Sequence, residues 1–326
     1  MRHRVAVVWV AGLAAAMAVY AQEDPLQRLI LQADRLGRDG YHAQAADLYR
    51  EAVRTAEASG DSLLPRALSG LADANDELGR YAEAERQYQR ALSLAEARQG
   101  RQSPVYAAIA VGLGTHFVDI GQGGKGEGLL RESIGVLAAA LPPNDNHLIM
   151  ARNSLALWAL LNRRYDEAER LLEQVLQALR PHPESTPTSV AVTLSNLGSL
   201  RRFQGRNDEA ANLFRESIAA IESGLGNDHP MLVRTLNNLA MTEMSSGHRD
   251  AAEAEFQRAL AVAEKRFGME NPLYGKVLLN YAAAERKFGN KKAAKALEDQ
   301  AKAVLADNAR ANGAGMTVDA AAFRGR

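Results

Sequence analysis

Apolar residues along this chain recur at helical spacing in short segments, and the segments themselves recur at a fixed distance. From Arg66 to Arg101, apolar residues three or four positions apart predict one helix before Gly79 and a second, amphipathic helix after it. Glycine at this position supplies the left-handed backbone conformation that ends the first helix. The pattern predicts a chain built from antiparallel pairs of helices.

The residue that ends the first helix of each pair is regularly spaced. It stands at Gly40, Gly79, Gly121, Arg163, Gly205, Gly247 and Gly289, so that one of the seven positions holds arginine. The first interval is 39 residues and each of the others is 42. A constant period of this size is typical of a solenoid, in which each pair of helices packs on its neighbours along the chain.

Small and large residues alternate in register in the second helix of each pair. The small residues are Ala84, Gly126, Ala168, Ala210, Ala252 and Ala294, and the large ones four positions later are Tyr88, Leu130, Leu172, Phe214 and Phe256. This alternation lets the second helix dock closely on the first. Linker prolines, at Pro104, Pro230 and Pro272, stand in the first turn of the next pair, where a missing N–H group is tolerated.

The clearest copy of the pattern is Leu236-Asn-Asn-Leu-Ala, then Gly247, Ala252-Glu253 and Ala259-Leu260, with Asn271-Pro272 before the next unit. It resembles the 42-residue tetratricopeptide repeat of the kinesin-light-chain type, which is common in bacterial proteins. Armadillo-type repeats are of similar length but lack this punctuation. The resemblance covers about residues 40 to 306. It implies a fold and does not name a partner.

The resemblance implies an all-α, right-handed solenoid of stacked antiparallel helix pairs over residues 22–307, with about six to seven tetratricopeptide repeats. The last helix, predicted over 291–307, carries a polar outer face and a glutamate in place of the repeated aromatic residue, as expected for a capping helix. Residues 308–326 are rich in glycine and alanine and are predicted to form a flexible tail.

The N-terminus predicts export. Arg2, His3 and Arg4 precede an apolar stretch, Val5 to Val19, and a small-residue cleavage site ends at Ala21. The sequence therefore predicts a signal peptide over residues 1–21 and a mature, exported periplasmic chain that begins at Gln22 and has no membrane span. The alternative is an uncleaved N-terminal anchor, although the apolar stretch is short for a span of about 20 residues.

The composition and motifs of the chain argue against several classes of functional site. Lys+Arg and Asp+Glu both number 39, and this balance argues against general attraction to nucleic acid or anionic lipid. Cysteine is absent, and the seven histidines include no pair spaced for a zinc enzyme. The glycine-rich segment from Gly121 to Gly128 lacks the Ser or Thr of a phosphate-binding loop and predicts a loosened turn between helices. We therefore expect no catalytic site, no metal and no cofactor.

By the same resemblance, the first helix of each pair lines the concave face, at positions 13, 10, 9, 6, 3 and 2 before its closing residue. The unit ending at Gly79 contributes an acidic set: Arg66, Ser69, Gly70, Asp73, Asp76 and Glu77. The next two units contribute apolar residues, including Val111, Val118, Met150, Leu157, Leu160 and Leu161. The last three contribute the predicted peptide-binding residues: Asn196, Arg202, Arg234, Asn237, Asn238, Lys276, Asn280 and Arg286.

Asn196, Asn238 and Asn280 are 42 residues apart and admit two interpretations. Their amides can pair with the backbone of an extended peptide, or they can bond a neighbouring helix and organise the stack. The first interpretation predicts a monomeric, non-catalytic scaffold that binds an extended segment of a partner protein, with the acidic groups of that segment toward the C-terminal repeats. The alternatives are a structural subunit of a cell-envelope assembly and an enzyme or small-ligand sensor.

Overall fold

A computed structural model of the chain describes residues 24–181 and 187–312, and almost all of them are helical. The helices of these two ranges are α1 (Pro25–Arg38), α2 (His42–Ser59), α3 (Leu64–Glu77), α4 (Tyr81–Gln99), α5 (Pro104–Asp119), α6 (Gly123–Ala140), α7 (Asn146–Leu161), α8 (Tyr165–Leu179), α9 (Pro187–Phe203), α10 (Asn207–Leu225), α11 (Met231–Ser246), α12 (Arg249–Phe267), α13 (Pro272–Lys287) and α14 (Lys291–Asn312). The predicted signal peptide, over 1–21, lies outside the described residues.

Successive helices form seven antiparallel pairs in the described ranges, which we number repeat 1 (α1 and α2) to repeat 7 (α13 and α14). The predicted all-α solenoid is confirmed. The turn inside a pair is made as predicted, since Gly79 has a φ of 75°. Arg163 takes a φ of 60° in the same register, so this turn tolerates a side chain where there is room. No helix in the described part of the chain is long and apolar enough to cross a membrane.

The predicted alternation of small and large residues forms the core of each repeat. Ala84 and Ala252 are completely buried, and the large residues Tyr88 and Phe256 are at most 2 % exposed. In repeat 2 the Tyr88 hydroxyl also donates a hydrogen bond to the Asp73 carboxylate of the preceding helix. The second helix is thus fixed to the first by apolar packing and by a polar contact at its inner end.

Repeat 3 departs from the loosened turn predicted for Gly121 to Gly128, because α6 begins at Gly123. A Cβ atom on Gly126 would lie 2.5 Å from the carbonyl oxygen of Gly114, and one on Gly114 would lie 2.8 Å from Leu130. The glycines of this repeat bring α5 and α6 into close contact, which is a packing reason for their presence.

The superhelix is tight enough for repeats 6 and 7 to contact repeats 1 and 2. Helix α14 lies against α4. It also continues to Asn312, beyond the predicted end at residue 307. Within this extension, the Asn308 side chain donates a hydrogen bond of 3.0 Å to the carbonyl oxygen of Gly79. The start predicted for the flexible tail is therefore wrong, because residues 308–312 continue the helix and Asn308 is held by repeat 2.

Candidate binding surface inside the superhelix

The acidic and basic ends of the predicted concave face lie opposite one another. Arg234, at the start of α11, has its Nη1 atom 3.5 Å from Oδ2 of Asp119, at the end of α5. The Arg234 side chain is 47 % exposed, yet protein surrounds it on all sides. It therefore lines a water-accessible interior. The neighbouring carboxylates Asp76 and Glu77 also stabilise its positive charge and so raise its pKa.

We call Asp76, Glu77 and Asp119 the acidic face, and Arg234 and Lys276 the basic face. Asp119, foremost among the carboxylates, raises the pKa of Arg234. Burial, and then repulsion by Arg234, lowers the pKa of Lys276 to about 8. Burial raises the pKa of Asp76, and a hydrogen bond with His116 opposes that shift. The acidic face therefore lies next to the basic residues for which the sequence predicted an acidic ligand.

Asp73 adds a further carboxylate beside the acidic face. Desolvation, together with repulsion by nearby Asp76 and Glu77, raises its pKa to about 7 against the opposing effect of the Tyr88 hydrogen bond, although its side chain keeps contact with water. His116, by contrast, is completely buried, with Nδ1 2.9 Å from Asp76 Oδ1. Because its ring does not reach the interior, it positions Asp76 and is not presented to a ligand.

Two predicted site residues make no side-chain hydrogen bond or ion pair within the described part of the chain, although the Arg202 guanidinium lies 4.8 Å from the centre of the Phe203 ring. Arg202, near the end of α9, has a buried Nε atom without a hydrogen-bond partner, and burial lowers its pKa. Asn238, in the middle of α11, is half-buried and its side-chain amide makes no hydrogen bond to a described residue. One turn of helix separates it from Arg234, so both lie on the inner side of α11. These groups retain hydrogen-bonding capacity for a ligand.

Two asparagines of the predicted ladder bond the preceding repeat. Asn196 Nδ2 donates to Asn153 Oδ1 at 3.1 Å, and Asn280 Nδ2 donates to Asn237 Oδ1 at 3.0 Å. Asn153 is 4 % exposed and was not singled out from the sequence, although it shares the register of Asn237 two repeats later. These bonds are the ones that the stacking interpretation expects.

Arg286 lies at the outer end of the predicted surface. Its Nη2 atom is 2.5 Å from Oε1 of Glu298 in the last helix. The adjacent Lys287 donates to the carbonyl oxygen of Met244 at 2.6 Å and so covers the end of α11. Both cations are bound within the protein, to a carboxylate and to a helix end.

The apolar middle of the concave face is only partly exposed. Met150 and Leu161 are each 38 % exposed. Val111, Val118 and Leu160 are at most 3 % exposed, and for these three the prediction of exposure is wrong. The first helices of repeats 3 to 5 pack closely on each other, so that residues expected on the surface become part of the core.

His229, which lies beside the acidic and basic faces, was not predicted as a functional residue. In the linker before α11, the Nδ1 atom of His229 accepts from the N–H of Met231 at 3.3 Å. It is also 5 % exposed, with Nε2 at 2.9 Å from the carbonyl oxygen of Arg38, five repeats earlier. The sequence shows which position of the repeat His229 occupies. It does not show how many repeats make one turn of the superhelix, and that number decides which residue His229 meets.

Among the described residues there is no group of three or more His, Cys, Asp or Glu side chains that could hold a metal ion.

Family models of the tetratricopeptide repeat match residues 65–98, 148–180, 189–265 and 233–307, which together are more than half of the chain. The chain belongs to the tetratricopeptide repeat family. The matches extend through repeats 5 to 7, which carry the predicted binding residues. In such solenoids the curvature of the stack creates an extended concave surface, and binding uses that surface. No protein of curated function matches the sequence.

Solved structures share the tetratricopeptide repeat fold at low identity. A Rap protein complexed with competence and sporulation factor is 14 % identical, with a TM-score of 0.59 over 91 % of this chain and 95 % of that one. The Rap conjugation gene regulator of plasmid pLS20, complexed with the Phr* peptide, is 15 % identical, with a TM-score of 0.58 over 79 % of each chain. Kinesin-light-chain TPR-like repeats from Podosopora anserina are 22 % identical, with a TM-score of 0.47 over 64 % of this chain and 99 % of that one.

Proposed function

We propose that this protein is a non-catalytic interaction scaffold, which binds an extended segment of a partner protein along the inside of its superhelix. The segment carries carboxylates that face repeats 5 to 7. The observation that carries the proposal is the pairing pattern of the inner cations, because Arg202 has a buried, unpartnered guanidinium nitrogen while Arg286 is bound by Glu298. A buried polar group without a partner is costly, and a ligand carboxylate would satisfy it.

Asn238 complements Arg202 on the same surface. Its amide offers one acceptor and two donors, which suits the backbone of an extended chain. Arg202 and Asn238 come from first helices of neighbouring repeats, so a strand-like segment laid across these helices can meet both. The peptide and factor held by the two Rap structures are ligands of those proteins, and they support a peptide as the class of ligand here.

The proposal is tested with fluorescent acidic peptides that have free C-termini, by anisotropy at low and high salt. Arg202→Ala removes a charged hydrogen-bond donor and is expected to weaken binding by about 10- to 100-fold, equivalent to about 1.5–3 kcal/mol. Asn238→Ala is expected to weaken it by about 2- to 10-fold. Salt should weaken the wild-type interaction, because it screens the cation.

Arg206→Ala is the matched control, since Arg206 is an arginine of the same repeat that pairs with Glu209 on the exposed turn. It should bind the peptides like the wild type. Equal affinity of the wild type and Arg202→Ala for every acidic peptide, without salt dependence, would contradict the proposed site.

We also propose that the protein is exported and begins at Gln22 after cleavage. The charged residues Arg2 and Arg4, the apolar stretch to Val19 and the small residue Ala21 support this proposal. N-terminal sequencing of protein from its native cell tests it. Recovery of the chain with Met1 in place, from the cytosolic fraction, would contradict it.

A further inference from the structure

Repeat 6 touches repeat 1 across one turn of the superhelix. His229 Nε2, in the linker before α11, donates to the carbonyl oxygen of Arg38 over 2.9 Å. Arg266 Nη2, near the end of α12, donates to the carbonyl oxygen of Asp39 over 2.5 Å. The Arg266 guanidinium also lies 4.4 Å from the centre of the Tyr41 ring. Side chains of repeat 6 thereby bind the carbonyl groups that end the first helix of the chain.

Repeat 7 touches repeat 2 in the same manner. Asn271 Nδ2, in the linker before α13, donates to the carbonyl oxygen of Glu77 over 3.1 Å. Asn308 Nδ2, near the end of α14, donates to the carbonyl oxygen of Gly79 over 3.0 Å. These carbonyl groups end the first helix of repeat 2. We call the four hydrogen bonds donated by His229, Arg266, Asn271 and Asn308 the inter-turn contact.

The inter-turn contact consists of two similar pairs of hydrogen bonds, one repeat apart. His229 and Asn271 are 42 residues apart, and so are Arg266 and Asn308. The first acceptors, Arg38 and Glu77, each stand two residues before a closing glycine. The second acceptors, Asp39 and Gly79, lie within one residue of the same register. One chance contact would not reappear at the next repeat with donors in the same register. The contact is therefore a property of the superhelix, and its partners are five repeats apart along the chain.

The two turns approach closely at the closing glycines. A Cβ atom on Gly40 would lie 2.4 Å from Pro230, and one on Gly79 would lie 2.5 Å from Pro272. Gly205 occupies the same register with a nearly identical φ of 79°, and nothing lies within 4 Å of its added Cβ. Gly247 and Gly289, in the same register, are equally open, so among these closing glycines the steric clash is confined to Gly40 and Gly79.

The charges next to the inter-turn contact favour closure. The acidic face belongs to repeats 2 and 3 and the basic face to repeats 6 and 7, so Asp119 and Arg234 attract each other between the turns. A ligand carboxylate that binds Arg234 or Lys276 has to displace this intramolecular partner.

We propose that the inter-turn contact is an autoinhibitory closure, which seals the side of the superhelix and has to open before an extended segment enters the interior. The closure rests on the geometry of this chain alone, whereas its role as a gate rests on the function proposed above. Its hydrogen bonds are few and mostly uncharged, and each contributes only modest net stability. Opening can therefore occur without unfolding of the repeats.

The closure is tested by comparing Gly79→Ala with Gly205→Ala. Both substitutions place a side chain at positive φ, so both carry the same backbone strain. Gly79→Ala alone forces a clash with Pro272. A milder variant is Asn271→Asp, which keeps the oxygen that caps α13 and loses the N–H that donates to Glu77.

The readout is the distance between two spin labels on engineered cysteines, which are the sole thiols because the natural sequence has no cysteine. Asp39→Cys and Met269→Cys report on the inter-turn contact, since both side chains are exposed and Asp39 is bound by Arg266. Asn227→Cys with Met269→Cys is the control pair, whose exposed positions lie 42 residues apart in adjacent repeats.

Gly79→Ala and Asn271→Asp are expected to lengthen the Asp39–Met269 label distance and to leave the control distance unchanged, with Gly205→Ala like the wild type. Circular dichroism confirms that the variants remain helical. The same label distance in Gly79→Ala as in Gly205→Ala would overturn the closure.

Gating is tested by linking the Asp39→Cys and Met269→Cys thiols with a short crosslinker and measuring association of the acidic peptide. The linked protein is expected to bind at least tenfold more slowly, and Gly79→Ala faster, than the unlinked parent. Equal association rates for linked and unlinked protein would overturn the gate. Label distances that open as expected, with no peptide bound by any variant, would refute the proposed function and leave the closure standing.

Discussion

Asparagines in one register of the repeat do not share one environment. Asn196 and Asn280 each donate to an asparagine of the preceding repeat, Asn153 and Asn237. The residue equivalent to these acceptors for Asn238 is Ser195, whose shorter side chain receives no such bond. The amide of Asn238 is consequently left for a ligand, because the acceptor changes from one repeat to the next.

This difference predicts that the same substitution at Asn196 and at Asn238 changes stability by different amounts. Asn196→Ala is expected to lower the free energy of unfolding by about 0.5–1.5 kcal/mol relative to Asn238→Ala, because it takes a donor from the buried side chain of Asn153. Both variants gain similar helix propensity, so their difference isolates the bond. Urea unfolding of the two variants measures it. Equal midpoints would show that the Asn196 amide contributes nothing to the stack.

At the scale of the helix, the glycines of α6 serve different purposes. Gly126 faces the backbone of α5, where a Cβ would come within 2.5 Å of Gly114. Gly128 lies one half-turn away, with nothing within 4 Å of an added Cβ. The close approach of α5 and α6 therefore depends on Gly126, while Gly128 only weakens the helix.

We expect Gly126→Ala to destabilise the protein and Gly128→Ala to stabilise it by about 0.5–1 kcal/mol. Both replacements improve helix propensity by the same amount, and only the first overpacks the interface between α5 and α6. Thermal unfolding monitored by circular dichroism gives the sign of each change. Stabilisation by Gly126→Ala would mean that α5 and α6 can separate without cost.

At the scale of the whole molecule, the inter-turn contact adds long-range coupling to a fold that is otherwise held together by neighbouring repeats. One histidine, His229, belongs to this contact and a second, His42, lies beside it. His229 bonds Arg38, and the ring of His42 stacks on that of Phe267 with centres 5.9 Å apart. Burial is the first cause of the lowered pKa of both histidines, and the positive charge of Arg266 lowers them further. The hydrogen bond to the Arg38 carbonyl and, more weakly, Asp39 oppose the shift at His229, and Glu77 opposes the shift at His42.

Acid is therefore expected to open the inter-turn contact. A histidine whose pKa is lowered in the closed state binds fewer protons there than in the open state, so closure is stable above about pH 6.5 and weakens as the pH falls through the lowered pKa. The Asp39–Met269 label distance should lengthen between about pH 7.5 and pH 5.

His229→Gln is the control for this pH dependence, since glutamine can donate to Arg38 but does not titrate. It should reduce the acid response and leave the closed distance intact at neutral pH. The local distance is the proper readout, because the raised pKa of Asp73 and Asp76 affects overall stability in the opposite sense. A label distance that is constant over this pH range would contradict the prediction.

The sequence determined the repeat itself. The regular spacing of Gly79, Gly121 and Gly205 and the buried residues Tyr88 and Phe256 follow from contacts within one repeat or between adjacent ones, and such local contacts leave a period in the sequence. The polar character of Asn238 and Arg202 could be read in the same way. The sequence pattern alone could not show whether these two residues bind the predicted ligand.

Only the tertiary structure decided which of the predicted surface residues are bound or buried by other parts of the same chain. Small rotations between successive repeats add up over the stack, and their sum brings Pro230 to Gly40 and Arg234 to Asp119, far apart in sequence. No single repeat encodes that sum, because many residues each contribute a little to it. For the same reason the burial of Val111, and the intramolecular partners of the basic face, could not be predicted from the 42-residue register.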